Sequence, residues 1–172
     1  MKRTLLPAFA LILALPLAAL AKPIVQFTDR EEKVSDKEVL AAQEELDEIQ
    51  RKISKKEIPP IAFELDSATL KESSKRTLDM VADLMLKHPY LKLMVFGHTC
   101  DLGGPEYNKK LSKKRADAVK EYLIEVGVMG EYIKAKGYGL EKPVVPNDSE
   151  ENRSQNRRVE LYVTNRWWQS VY

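Results

Sequence analysis

An arginine lies on the face of a predicted helix that hydrophobic spacing assigns to the core. Residues 105–126 predict this helix, and its apolar stripe at three- and four-residue spacing is formed by Leu111, Ala118, Val119, Tyr122 and Val126. Arg115 falls inside this stripe, and Asn108 lies at its N-terminal end. Because a guanidinium group keeps its charge in proteins, an inward-facing Arg115 requires an anion as its partner. The nature of that anion decides what the site does.

A second arginine and a pair of glycines predict an anion-binding pocket. Alternation along the last predicted strand places Arg157 on the same inward face as Val159. Gly103 and Gly104 precede the N-terminus of the Arg115 helix, where backbone N–H groups attract negative charge. Arginines combined with a helix N-terminus are suited to a carboxylate or a phosphate.

Asp101, at the edge of this pocket, leaves two interpretations open. An internal salt bridge between Asp101 and Arg115 would satisfy both charges and would have only a structural role. Alternatively, the pocket binds a zwitterion, whose carboxylate contacts arginine and whose ammonium group contacts Asp101. The residue pattern alone does not choose between them.

His98 and Cys100 stand two residues apart, a spacing that places both side chains on one side of an extended backbone. Such a pair suggests a cysteine nucleophile or part of a zinc site. A structural zinc ion needs about four ligands, and this loop offers only His98, Cys100 and Asp101. A catalytic thiol also needs an orienting group and an oxyanion hole, and the sequence indicates neither. We therefore expect no metal, no cofactor and no catalysis.

A small α+β domain is needed to bring these residues together. Alternation at Ile61, Phe63 and Leu65 predicts a first strand, and a helix ending at His88 follows it. The later elements are a strand at 91–96, the Arg115 helix, a strand at 133–137, a long polar loop at 140–156 and a strand at 157–164. The order βαβαββ predicts a two-layer fold, with helices packed on one face of a small mixed sheet.

The N-terminal residues predict export. Lys2 and Arg3 precede an apolar run that ends in a small-residue cleavage pattern, so residues 1–21 are expected to be a signal peptide, with a retained membrane anchor as the alternative. Cleavage would leave 26 of the 28 basic residues against 26 acidic ones, and this balance argues against nucleic-acid binding. Cys100 is the only cysteine, which excludes a disulfide within the monomer.

Three further segments surround or contain the site. Residues 22–57 form a charged lead with a helix capped at Ser35, predicted to be a lightly packed spacer or, alternatively, a partner-binding helix. Residues 58–165 form the main domain, which begins at the helix-breaking Pro59-Pro60. Residues 166–172 form a tail with adjacent Trp167 and Trp168, which we expect to dock on the domain.

Long motifs of the chain resemble the OmpA-like C-terminal domain family. The stretch GHTCDLGGPEYNKKLSKKRADAVKEYLIEVGV, at residues 97–128, is similar to the family pattern GHTDxxGxxxYNxxLSxxRAxAVxxYLxxxGV. The resemblance begins at FELDSATL (63–70), continues through GYG (137–139) and NRRVEL (156–161), and covers roughly residues 58–165. It implies non-covalent binding of peptidoglycan through the diaminopimelate residue of the stem peptide, which is a zwitterion.

The resemblance also implies roles for individual residues. Arg115 matches the arginine of LSxxRA that binds the diaminopimelate carboxylate, and Asn108 and Leu111 match the YNxxL positions on the same helix. Thr99 matches the threonine of GHT, and Arg157 matches the first arginine of NRRV. These residues are therefore expected to bind the ligand.

One position departs from the family pattern. The aspartate of GHTD aligns with Cys100, and Asp101 follows one residue later. Because Gly103 and Gly104 give the loop conformational freedom, we expect Asp101 to supply the acid that binds the ammonium group.

The sequence thus predicts a peptidoglycan-binding protein of the cell envelope, located in the periplasm, with attachment at the outer membrane as one option. Its binding to peptidoglycan would anchor the protein, and with it an envelope partner bound through the N-terminal helix, to the cell wall. Two alternatives belong to other classes of protein. One is a thiol-dependent cell-wall hydrolase that uses Cys100 and His98, and the other is an envelope adaptor that acts through the helix at 35–57.

Overall fold

The computed structural model describes residues 34–166. Within this range the elements, in chain order, are α1 (Asp36–Ser54), α2 (Glu72–Lys87), β1 (Lys92–His98), α3 (Pro105–Glu125), a 3-10 turn (Gly130–Tyr132), β2 (Ile133–Gly139), α4 (Glu150–Asn156) and β3 (Val159–Thr164). The predicted signal peptide and the tail tryptophans lie outside the described residues. None of the helices between residues 34 and 166 is long and apolar enough to cross a membrane.

The predicted α+β fold is confirmed, with helices packed against a small mixed sheet. The strand order is β2-β1-β3, and the central β1 runs parallel to β2 and antiparallel to β3. Leu93 of β1 lies opposite Ile133 of β2 and Val163 of β3, and all three join a core that also receives residues from α1, α2 and α3. The central position of β1 explains why its sequence is apolar on both faces.

Two glycines let α3 lie directly on the sheet. A Cβ atom added at Gly97 would be 2.1 Å from the backbone oxygen of Ser112, and one added at Gly137 would be 2.3 Å from the backbone nitrogen of Lys113. The N-terminal half of the helix therefore buries polar or small side chains, and the buried face continues with larger apolar ones; it consists of Asn108, Ser112, Ala116, Val119 and Leu123. The predicted stripe through Leu111 and Ala118 is wrong in register, and Arg115 lies half-buried beside the core rather than within it.

The predicted first strand is also wrong. It is reduced to an isolated bridge between Phe63 and Leu70, so the described sheet has three strands rather than four. The backbone here bonds to the following turn and helix instead of to β1: the Ala62 N–H donates to Ser74 Oγ at 2.9 Å. Asp66, with φ of 51°, turns the chain back after only a few residues.

Helix α1 packs more closely than its thin apolar stripe indicated. It begins as predicted, with Ser35 Oγ accepting from the Glu38 N–H at 3.2 Å, and it buries Ala42, Leu46 and Ile49. Two glutamines of α1 also form hydrogen bonds with backbone groups at the outer edge of β3. Gln43 Oε1 accepts from the Val163 N–H at 3.1 Å, and Gln50 Nε2 donates to the Leu161 carbonyl at 3.4 Å. An edge strand presents unpaired backbone groups, so α1 protects the sheet from pairing with other chains.

Candidate ligand-binding site

Arg115 carries the charge that defines the candidate site. It extends from α3, its Nε donates to the backbone oxygen of Ser67 at 2.9 Å, and its guanidinium carbon lies 5.1 Å from the centre of the Phe63 ring. Burial lowers the pKa of Arg115, while Tyr107 and Asp66 act in the opposite direction. Among residues 34–166, no carboxylate lies within salt-bridge distance of this guanidinium. Its charge is thus oriented by a carbonyl and an aromatic face and has no acid partner there.

Arg157 lies close enough to Arg115 for their charges to interact. It ends α4, and its positive charge further lowers the pKa of Arg115. Its Nη1 lies 3.7 Å from Cys100 Sγ, and its Nη2 donates to Glu150 Oε1 at 2.6 Å. Burial alone would lower the pKa of Arg157, but the bonds to Glu150 and Cys100 raise it overall. Arg157 therefore contacts the loop after β1 at Cys100, and its charge acts on Arg115.

Asp101 does not form the internal salt bridge that was one interpretation of the sequence. Its Oδ1 accepts from Arg153 Nε at 2.9 Å, and its side chain is 44% exposed. The acid therefore pairs with a residue of α4, and Arg115 is left to other partners. This finding removes the main structural explanation for a charge at Arg115.

The other three predicted site residues differ in burial and in hydrogen bonding. Thr99 is buried, its N–H donates to the Gly139 carbonyl at 2.9 Å, and its hydroxyl has no hydrogen-bond partner within the described part of the chain. Asn108 is buried, and its Nδ2 donates to the carbonyls of Leu102 and Gly103 at 2.9 and 3.3 Å. Asn108 therefore fixes the glycine loop. Leu111 is half-buried and borders a groove between α3 and the turn after Phe63.

His98 and Cys100 are not arranged as a catalytic pair. The imidazole is buried and stacks on Tyr138 with 5.4 Å between ring centres, and neither of its nitrogens has a hydrogen-bond partner among residues 34–166. Its Nε2 lies 3.5 Å from Glu160 Oε2, too long for a strong bond. Burial, followed by the charge of Arg158, lowers the pKa of His98 to about 4. The described residues also contain no group of three His, Cys, Asp or Glu side chains that could hold a metal ion.

The sequence-based prediction missed α4, which brings Glu150 and Arg153 to the site. This segment was predicted as part of a long loop. A signal was available: Ser149 caps the helix by accepting from the Asn152 N–H at 3.1 Å, and two acids follow the cap. The seven-residue length of α4 kept this pattern below the usual threshold for predicting a helix.

Comparisons with known proteins all lead to the same family. A sequence model described as the OmpA family matches residues 62–157. Outer membrane porin F of Pseudomonas fluorescens is 41% identical over 103 residues, which make up 60% of this chain and 32% of the porin. The peptidoglycan-associated lipoprotein of Pseudomonas aeruginosa is 41% identical over 99 residues, 58% of each chain. This chain therefore spans less than two thirds of the length of either relative.

A solved structure gives the same result. The crystal structure of the peptidoglycan-associated lipoprotein from Burkholderia pseudomallei is similar with a TM-score of 0.58 and 33% sequence identity. The match covers 60% of this chain and 88% of that one. The matched part of this chain thus has a fold similar to that of the lipoprotein.

Proposed function

Because this chain belongs to the OmpA family, we propose that it binds peptidoglycan non-covalently through the diaminopimelate residue of the stem peptide. One relative and one structural neighbour are named as peptidoglycan-associated lipoproteins. Binding of this kind would hold the protein at the cell wall. The activity would be recognition of a zwitterionic end group, without turnover of the ligand.

The observation that carries the proposal is the charge of Arg115, which has no acid partner among residues 34–166. Its Nε donates to the Ser67 carbonyl, and within the described part of the chain the two Nη atoms form no hydrogen bond, so their four N–H bonds can serve a ligand. A carboxylate accepts two of these bonds in a planar, bidentate arrangement. Because Arg115 is half-buried, a carboxylate bound there would be partly shielded from water, and the ion pair would be stronger than one on an open surface.

The other residues would complete the pocket around this ion pair. In this proposal Asp101 binds the ammonium group of diaminopimelate, and Arg157 adds positive charge beside the carboxylate. The Thr99 hydroxyl, buried and without a partner in the described residues, provides a donor or acceptor. Asn108 keeps the loop in shape, and Leu111 contacts the aliphatic part of the ligand.

Location and partners follow from the same proposal. A peptidoglycan-binding protein with an N-terminal signal peptide would work in the periplasm, bound to the cell wall. Affinity for one stem peptide would be modest, but the many stems of a sacculus would retain the protein by rebinding. If an envelope protein binds through α1, it would have to use the exposed side of that helix, since the other side is in the core.

A sacculus pull-down tests the proposal. Purified sacculi are incubated with the wild-type protein, with Arg115→Ala, and with Arg76→Ala as a matched control, because Arg76 is an exposed arginine on α2. Loss of a hydrogen-bonded charge pair costs about 1.5–3 kcal/mol, so Arg115→Ala should weaken binding by roughly 10- to 100-fold. The control should bind like the wild type. Full retention of Arg115→Ala on sacculi would refute the proposal.

A further inference from the structure

Helix α4 already supplies a partner for two of the charges that the proposed ligand would use. Glu150 Oε1 accepts from Arg157 Nη2 at 2.6 Å, and Arg153 Nε donates to Asp101 Oδ1 at 2.9 Å. The two α4 residues are three positions apart and carry opposite charges. The Glu150 carboxylate thus pairs with Arg157, and the Arg153 guanidinium pairs with Asp101. These are the same two pairings that the carboxylate and the ammonium group of the proposed ligand would form.

We propose that α4 is an internal competitor, whose Glu150 and Arg153 must exchange with the incoming ligand before Arg157 and Asp101 can bind it. This inference rests on the function proposed above. Ligand binding would then begin at Arg115, which has no acid partner among the described residues, and would proceed to Arg157 and Asp101 by exchange of ion pairs. In the free protein Arg157 and Asp101 would stay paired with α4, which limits the binding of other small ions to these two residues.

The fold allows this exchange without unfolding α4. The C-terminal end of the helix is fixed by Asn156, which is fully buried, accepts from the Val144 N–H at 2.9 Å and donates to the Val145 carbonyl at 2.8 Å. The side chain of Glu150 is 69% exposed, and that of Arg153 is 25% exposed. Both have several rotatable bonds, so each can leave its partner by changing rotamer while the backbone stays in place.

The ligand has an advantage that α4 lacks. Among residues 34–166, Glu150 forms an ion pair with Arg157 and Arg153 forms one with Asp101, whereas a zwitterionic ligand would also reach Arg115. The exposed pairs are weak, because solvent screens them and long side chains lose freedom when they form. The two ion pairs therefore lower the affinity of the site for the ligand but do not prevent binding.

Removing the competing charges tests the inference. Binding of a synthetic stem tripeptide that ends in diaminopimelate is measured by titration calorimetry for the wild type, Glu150→Gln, Arg153→Gln and the double variant. Each single substitution should tighten binding by about 1.5- to five-fold, the range set by exposed ion pairs, and the double variant by roughly two- to twenty-fold. Glu151→Gln is the matched control, since Glu151 is an exposed acid on the same helix. Thermal unfolding of every variant checks that the fold is intact.

The outcomes separate this inference from the proposed function. If the double variant binds the tripeptide more tightly and binding is lost when Arg115→Ala is added, both the competitor role of α4 and the proposed function are supported. If the double variant binds the tripeptide as the wild type does, or more weakly, the proposal that α4 competes with the ligand is overturned. Weaker binding would mean that α4 holds Asp101 and Arg157 in place for the ligand. If neither the wild type nor the double variant binds the tripeptide, both ideas fail.

Discussion

Replacement of Gly97 by alanine should loosen the contact on which the whole site is built. The added Cβ would lie 2.1 Å from the Ser112 backbone oxygen and 3.0 Å from the Ser112 carbonyl carbon. The nearest atoms belong to the helix backbone, which cannot change rotamer to make room. The helix must therefore move away from β1, or β1 must bend.

The size of the effect follows from this overlap. To restore a contact of about 3 Å, α3 would have to shift by roughly 1 Å across a tightly packed interface, and overpacking of this kind costs about 1–3 kcal/mol. For a domain of this size the cost corresponds to a fall of roughly 5–15 °C in the midpoint of thermal unfolding. Because α3 carries both Arg115 and Asn108, binding to sacculi should weaken as well.

Differential scanning calorimetry and the sacculus pull-down measure the two effects. Gly104→Ala is the matched control: Gly104 precedes α3, has φ of −72°, and a Cβ atom added there would have no neighbour within 4 Å. We expect that variant to change stability by less than about 1 kcal/mol. An unfolding midpoint for Gly97→Ala equal to that of Gly104→Ala would refute the view that this glycine sets the distance between helix and sheet.

Three further predictions concern the surrounding fold. Burial lowers the pKa of His98 to about 4, from 6.5 in an unfolded chain. Between these two pH values only the unfolded state gains a proton, so the free energy of unfolding should fall by on the order of 3 kcal/mol as pH drops from 6.5 to 4. Urea unfolding of His98→Asn should show a shallower pH dependence. Gln43→Ala leaves the Val163 N–H at the sheet edge unpaired, so chemical denaturation should show a loss of about 1 kcal/mol, and light scattering should show more aggregation on heating; unchanged behaviour in both would contradict the edge-covering role. Ser74→Ala removes the buried acceptor of the Ala62 N–H and should cost about 1–3 kcal/mol in the same denaturation assay, whereas exposed Ser73→Ala should cost little.

Sequence reasoning succeeded where one periodicity dominated. The capped start of α1, the helix that ends at His88 and the strand predicted at 91–96 all follow from local spacing and cap residues, and each is confirmed. It predicted the extent of α3 but failed on its buried face, because the N-terminal half of that face is formed by Asn108, Ser112 and Ala116, which are polar or small. Ser112 is fully buried, where it accepts from the Gly139 N–H at 2.8 Å, and no hydrophobicity pattern identifies such a position. The relevant signal was in the partner strands, at Gly97 and Gly137.

The segment around Phe63 failed for a different reason. Its alternation is typical of a strand, but an alternating pattern specifies only which side chains face inward, and not which backbone they pair with. Here the partners are the next turn and the Ser74 hydroxyl. Phe63 packs against the core, as does Ile61, and its ring lies beside the Arg115 guanidinium. Leu65 is 95% exposed, so the alternating pattern predicted the burial of the first two residues and was wrong for the third as well as for the pairing.

The corrected register of α3, which moves Arg115 to the edge of the core, strengthens the functional argument for this residue. In the core, an arginine would have required an internal acid, and a structural salt bridge would have been sufficient to explain it. Beside the core it is held by the Ser67 carbonyl and the Phe63 ring, and it needs no internal acid. Asp101, the acid that could have neutralised it, is bonded to Arg153 instead. The position of Arg115 at the edge of the core, together with the pairing of Asp101 elsewhere, is what makes an external carboxylate the expected partner.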